Sequence, residues 1–356
     1  MTPYPSSPSR RFLRAKRFSL TMLLPRNHFL AFILLSFSLL AACTSAAPET
    51  APENTPPIPA QANSPTPAPT ISATPALTST PSPSATQPPP TTTPTSSPIP
   101  SSTASATPLP AFESLGLSTL NYPIDAYHLG SGEQQVMVVG GMHGGYEWNS
   151  ILLAYELLDY FEANPVALPD HIRLTIIPST NPDGQVWVTG TAGRFAPNDV
   201  SLETAPGRFN GNNVDLNRNW PCNWQPTGNW AGQVVSGGAE PFSEIENRHL
   251  NYFITIQEPD LVIFLHSALS AVVLSDCNGI VADGTVSLGT AYAEAAAYTL
   301  YETFPAYPVY GDAADTLALS NIAAFTVELT DHFNTEFERN LDGLRAVFET
   351  LDQPDP

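Results

Sequence analysis

The chain has 356 residues, with 33 acidic against 13 basic side chains and a net charge of −20 at pH 7. That balance excludes a protein that holds nucleic acid or an anionic bilayer surface by charge. Of the 38 prolines, most lie before residue 111, so only the remainder of the chain has the composition of a packed domain.

Residues 1–42 carry six of the basic residues (Arg10, Arg11, Arg14, Lys16, Arg17, Arg26) and no Asp or Glu. The apolar run from Phe29 to Ala42 is short for a membrane span and suits the apolar core of a secretory leader. It ends in Leu40-Ala41-Ala42-Cys43, which resembles the lipobox of bacterial lipoproteins. That resemblance implies cleavage before Cys43 and lipid on its thiol. The expectation is an exported protein, lipid-anchored to the bacterial cell membrane at Cys43, with its folded domain outside the cell; the alternative is an unmodified signal-anchor helix. Residues 43–110 are almost entirely Pro, Thr, Ser and Ala, with no charge between Asn54 and Phe112. Such a stretch cannot bury enough apolar surface to offset its ordering entropy and reads as a disordered tether.

Residues 111–356 are the domain-sized block. In chain order, Val136–Gly140, Arg173–Pro178, Asp260–His266 and Ala323–Leu329 read as buried strands, being apolar and largely β-branched. Glu147–Phe161, Ser243–Gln257, Leu288–Glu302 and Thr335–Leu351 read as helices. Ser243 stands three residues before Glu246, the spacing of a capping box. Strands alternating with helices predict an α/β fold, a mostly parallel or mixed central sheet with helices on both faces.

Polar residues fall where these strands end. His143 and Glu147 follow the first, in Gly140-Gly141-Met142-His143-Gly144-Gly145-Tyr146-Glu147. Asn181-Pro182-Asp183-Gly184 follows the second, His266 ends the third and Glu328 lies at the end of the fourth. Open α/β sheets bind ligands at the carboxyl ends of their strands. A His in a glycine turn, taken alone, equally fits a hydrogen-bonded structural residue. Joined by Glu147 and His266, it makes a two-His, one-carboxylate set, the donor pattern of a catalytic zinc. Glu328 is then placed to act as base. Arg208-Phe209-Asn210-Gly211-Asn212-Asn213-Val214-Asp215-Leu216-Asn217-Arg218-Asn219-Trp220 adds two arginines beside Asn and Asp, suited to a carboxylate end and a polarised carbonyl. With Cys43 taken by lipid, Cys222 and Cys277 remain; in an exported chain they form a disulfide or stay two separate buried thiols.

At these residues the chain resembles the zinc carboxypeptidases, the metallocarboxypeptidases typified by carboxypeptidase A. The resemblance rests on Asn181-Pro182-Asp183-Gly184, Val214-Asp215-Leu216-Asn217-Arg218-Asn219-Trp220, Pro241-Phe242-Ser243-Glu244, Leu265-His266-Ser267 and Phe325-Thr326-Val327-Glu328-Leu329. It implies one Zn2+ per chain on His143, Glu147 and His266, with Asp215 orienting the first His. It implies Glu328 as general base for attack of water, Arg208 as oxyanion stabiliser, and Asn217 and Arg218 as the clasp for the substrate's terminal carboxylate. The implied activity is hydrolysis of a C-terminal peptide bond, on peptides with a free C-terminal carboxylate. Alternatives are cell-wall peptides or acylated amino acids on the same fold, or a surface-binding lipoprotein without catalysis. Tyr310 is the best match to the family's mobile tyrosine, on a loop about four residues short. Asp312 and Asp315 fall on the loop that lines the family's specificity pocket. One further departure stands out: the family separates its first His and Glu by three positions, and here the interval is four.

Overall fold

The computed structural model describes residues 110–352; the 1–42 leader, Cys43 and residues 43–109 of the tether lie outside the described residues. Ten strands form: β1 (Phe112–Leu117), β2 (Pro123–Gly130), β3 (Gln134–Val139), β4 (Ile172–Ile177), β5 (Thr227–Trp230), β6 (Gln233–Ser236), β7 (Leu261–Ser267), β8 (Ala271–Leu274), β9 (Thr299–Tyr301) and β10 (Ala323–Leu329). Among the described residues six α-helices accompany them: α1 (Trp148–Ala163), α2 (Pro182–Thr189), α3 (Ile245–Gln257), α4 (Thr285–Ala295), α5 (Ala313–Ala318) and α6 (Phe337–Leu351).

Eight strands make one mixed sheet in the order β1-β2-β4-β3-β7-β10-β8-β9, and β5 and β6 form a separate antiparallel pair. The centre, β4-β3-β7-β10, is parallel throughout. Antiparallel pairings flank it, β2 against β4 and β8 against β10.

Alternate residues of the central strands enter different layers of core. Val136 and Val138 of β3 and Ile263 and Leu265 of β7 pack with Leu157 and Phe161 of α1 and Phe348 of α6. Met137, Val139, Val262 and Phe264 pack on the other face with Leu250 and Phe253 of α3 and Leu317 of α5. Continuing that alternation, His266 falls on the face of Val262 and Phe264, and Glu328 on the face of Ala324. Both therefore point to the α3–α5 side of the sheet.

Three local expectations are corrected. The Ala-rich segment read as a helix to Glu302 ends at Ala295. Ala297 turns with φ +51°, and Thr299–Tyr301, β-branched and aromatic, adds a parallel strand beside β8. Helix α6 begins at Phe337, two residues later than read. The capping box is not made: α3 starts at Ile245 with Glu244 at its cap position and no side-chain cap. Ser243 Oγ instead donates to Glu244 Oε1 at 2.7 Å, and Glu246 accepts from the Thr119 amide at 2.8 Å and from Asn210.

Candidate metal centre and substrate cavity

Four adjacent strand ends build the site. After β3 the chain leaves the sheet through Gly140 and Gly141 and reaches His143. Gly144 through Glu147 then form a 3₁₀ turn before α1 begins at Trp148. This turn absorbs the fourth residue of the His–Glu interval, so Glu147 returns to the metal side and Tyr146 faces the cavity. The turn needs its glycines. Gly144 has φ +46°, and a Cβ there would sit 2.6 Å from the Gly207 carbonyl oxygen. A Cβ on Gly145 would sit 2.4 Å from Val188. After β4, Asn181 caps α2, its Oδ1 accepting from the Gly184 amide at 2.9 Å. Asn181 Nδ2 also donates to the Arg208 carbonyl at 3.2 Å, which ties the arginine loop to the sheet edge.

His143, Glu147 and His266 are all buried, and their candidate donor atoms lie within 4.8 Å of one another. The two imidazoles meet edge to face at 4.8 Å between centroids. His266 Nδ1 lies 3.0 Å from Glu147 Oε2. His143 Nδ1 lies 3.4 Å from Asp215 Oδ1, outside hydrogen-bond geometry, and has no partner. An unpartnered ring nitrogen in a buried site is costly unless something else binds it. Two neutral imidazole nitrogens and a carboxylate are a donor set suited to zinc. The charges agree: Glu147, Asp215 and Glu328 are buried here against the two cations Arg208 and Arg218, and a divalent cation offsets the excess of negative charge. On both counts the residues fit the metal.

The protonation preferences follow from burial and neighbours. Burial, reinforced by the Arg208 charge, holds the His143 imidazole well below the usual histidine range. Burial pulls His266 down as well, but the Glu147 carboxylate beside it outweighs this and the net shift is upward. Glu328 is pushed up to about 7, first by burial and then by the charge of Glu147.

Asp215 is the hub of the second layer. Its Oδ2 accepts from Arg208 Nε at 2.9 Å and its Oδ1 from the Asn217 amide at 3.1 Å. Arg208 also brings Nη1 to 3.7 Å from Glu147 Oε1, and its guanidinium carbon lies 4.8 Å from the Trp230 ring centroid. A cavity of about 770 Å³ opens over the metal residues, and Glu328, Arg208, Asn217, Arg218, Asp312 and Asp315 also line it. Arg218 is buried. It donates through Nη1 to the Asn217 carbonyl at 2.7 Å and through Nη2 to the Asn229 carbonyl at 3.0 Å, while Nε has no partner. Among the described residues no carboxylate pairs with it. Asn217 is engaged on both ends, donating to Asp312 Oδ2 at 2.8 Å and accepting from the Ala313 amide at 3.0 Å.

The two tyrosines of the loop before α5 differ in exposure. Tyr310 is exposed and does not line the cavity, whereas Tyr307, three residues earlier, does. Cys222 and Cys277 are joined in a disulfide across 55 residues, both buried. The sequence also leaves unread an aromatic wall beside the metal residues. Tyr146 packs at 4.9 Å from Trp230 and 4.7 Å from His332. The extra residue of the His–Glu interval was its only visible signal.

Comparison with known proteins agrees with this architecture. The family model described as zinc carboxypeptidase matches residues 108–340. No curated protein matches the chain. Among solved structures, carboxypeptidase A from Helicoverpa armigera superposes with a TM-score of 0.53 at 20% identity, over 68% of this chain and 69% of that one. Bovine thrombin-activatable fibrinolysis inhibitor, in complex with tick carboxypeptidase inhibitor, superposes with a TM-score of 0.55 at 18% identity, over 67% and 89%. At these identities the likeness to the solved structures shows the fold, and the family model spans most of the domain. The chain belongs to the zinc carboxypeptidase family, and zinc is its metal.

Proposed function

We propose that the domain is an exopeptidase that hydrolyses the last peptide bond of substrates with a free C-terminal carboxylate. The observation that carries this is Arg218, a buried cation with no carboxylate partner among the described residues, in the same cavity as the metal residues and Glu328. A buried unpaired guanidinium favours an anion from outside. A carboxylate bound there puts the preceding peptide bond toward His143, Glu147 and His266. Asn217 keeps one amide hydrogen clear of Asp312 for the same carboxylate.

His143, Glu147 and His266 would hold the zinc, which when bound would supply a Lewis acid and a more acidic water. Glu328 takes the proton from the attacking water and passes it to the leaving amine. Its raised affinity for a proton suits a group that must hold one between the two transfers. Arg208, fixed by Asp215 and by Trp230, stabilises the negative charge that develops on the carbonyl oxygen. Tyr307 takes the place in the cavity wall expected of Tyr310. We further propose that the protein is exported and anchored by lipid on Cys43, a reading to which the disulfide adds weight.

The test is release of C-terminal residues from peptides, followed by mass spectrometry, with zinc-loaded and chelated protein. Free-acid peptides are shortened from the C-terminus by the zinc-loaded protein alone. C-terminally amidated peptides are cut roughly a hundredfold more slowly, and Arg218→Ala removes most of that discrimination. Equal cleavage of acid and amide would overturn the reading.

A further inference from the structure

His332 lies on the loop after β10, lines the same cavity, and has no part in the mechanism above. Its protonation can be deduced from a chain of contacts. Asn149 of α1 is fully buried. Its Nδ2 donates to the Asp331 carbonyl at 2.7 Å and the Asn334 carbonyl at 3.0 Å. Two carbonyl acceptors on that side fix the amide, so Oδ1 faces Ser267 Oγ, 3.0 Å away. Oδ1 has no proton, so the Ser267 hydroxyl must donate. A hydroxyl has one hydrogen. The 2.8 Å contact between Ser267 Oγ and His332 Nδ1 is therefore one in which the serine accepts and Nδ1–H donates. A neutral imidazole protonated on Nδ1 carries its lone pair on Nε2.

Tyr146 holds the ring from its other side, 4.7 Å between centroids. Among the described residues, Nε2 has no hydrogen-bond partner. The molecule thus fixes one end of His332 through two buried side chains, Asn149 and Ser267, and offers the other as an acceptor. His332, less buried than Arg218 or Glu328, lines the same cavity that a peptide with its terminal carboxylate on Arg218 would enter.

We propose that His332 is a substrate-binding residue whose Nε2 accepts a hydrogen bond from a backbone N–H in the acyl half of the peptide. Asn149 and Ser267 position it. The assignment rests on the exopeptidase reading.

The test compares N-acyl dipeptides whose acyl-side amide is either N–H or N-methylated, using zinc-loaded wild type, His332→Phe and His332→Gln. Phe keeps the ring against Tyr146 and removes the acceptor; Gln restores an acceptor. Loss of one such hydrogen bond is worth about tenfold. Methylation should lower kcat/KM of the wild type about tenfold, mainly through KM. His332→Phe should be about tenfold weaker on the N–H substrate and indifferent to methylation, and His332→Gln should recover part of the discrimination. A second readout is independent of turnover. The ¹⁵N shifts of His332 in zinc-loaded protein should report the Nδ1–H tautomer, and Ser267→Ala should lose that preference. Wild-type discrimination retained in His332→Phe, or an Nε2–H neutral ring in the wild type, would overturn the assignment while leaving the exopeptidase reading intact. A wild type that cleaves no peptide would overturn both.

Discussion

Glu328 and His266 stand opposite one another where β10 and β7 run parallel. A metal ligand and an acid–base residue are thus delivered to one cavity by neighbouring strands in one register, each followed by a single further strand residue. A shift by one residue would turn either side chain to the α1–α6 face of the sheet. Because strand pairing rather than the metal holds Glu328, Glu328→Gln should fold and keep its zinc. Its kcat should fall by roughly 10² to 10⁴ with little change in KM. Metal analysis beside steady-state kinetics checks this, and a variant within threefold of wild type would remove Glu328 from the mechanism.

His143 Nδ1 is buried without a partner, and three acidic groups share the site with two guanidiniums. The metal-free site is therefore electrostatically incomplete. Adding zinc to chelated protein should raise the melting temperature in a concentration-dependent way. At a hundred times the dissociation constant the gain is about 2.7 kcal/mol, roughly 5 to 10 °C for a domain of this size. His143→Ala should abolish the shift. Thermal unfolding across a zinc titration decides it.

These first two predictions rest on features that were legible in the sequence. The four central strands announced themselves as apolar β-branched runs, and the residues at their ends are those of the metal centre. What was not legible depended on contacts between distant segments. The flanking strands β2 and β8 take their place only by pairing with the centre, β1 by pairing with β2, and Thr299–Tyr301 looked like the tail of a helix until β8 offered it a partner. Ser243 and Glu246 have capping-box spacing, but Asn210, 36 residues away, holds Glu246 elsewhere. The four-residue His–Glu interval was visible without its meaning. Only the turn geometry shows that Tyr146 is the residue turned outward, onto Trp230 and His332.

The disulfide fastens the cavity wall. Cys222 accepts a hydrogen bond from the Gly311 amide at 2.8 Å, one residue before Asp312, and its own amide donates to Thr316. Cys277 directly follows Asp276, whose amide is bonded to Asp315. The bond closes a loop of 55 residues, for which chain entropy predicts about 4 kcal/mol of stabilisation. Replacing both cysteines by Ala should lower the melting temperature by roughly 8 to 16 °C. KM should rise more than kcat falls, since the loosened wall belongs to the substrate end and not to the metal ligands. Unfolding curves with kinetics at a temperature where both forms are folded test this. An unchanged melting temperature would refute it.

Asp315 sets a pH dependence of stability. Its carboxyl is pushed up to about 8, first by burial and then by the charge of Asp312. The ordinary value is 3.8, so between these limits the folded protein holds a proton that the unfolded chain releases. A group raised in this way contributes stability that is full below about pH 4 and is lost as pH rises toward 8. Asp315→Asn keeps an oxygen to accept from the Asp276 amide, a bond of 3.0 Å in the wild type, and has no proton to lose. The variant should show a flatter fall in stability between pH 4 and pH 8 and should be the more stable of the two at pH 8. Chemical denaturation across that range, with protein in a fixed zinc state, makes the comparison. If the wild type and the variant fall in parallel, Asp315 is ionised in the folded protein and this source of pH dependence is absent.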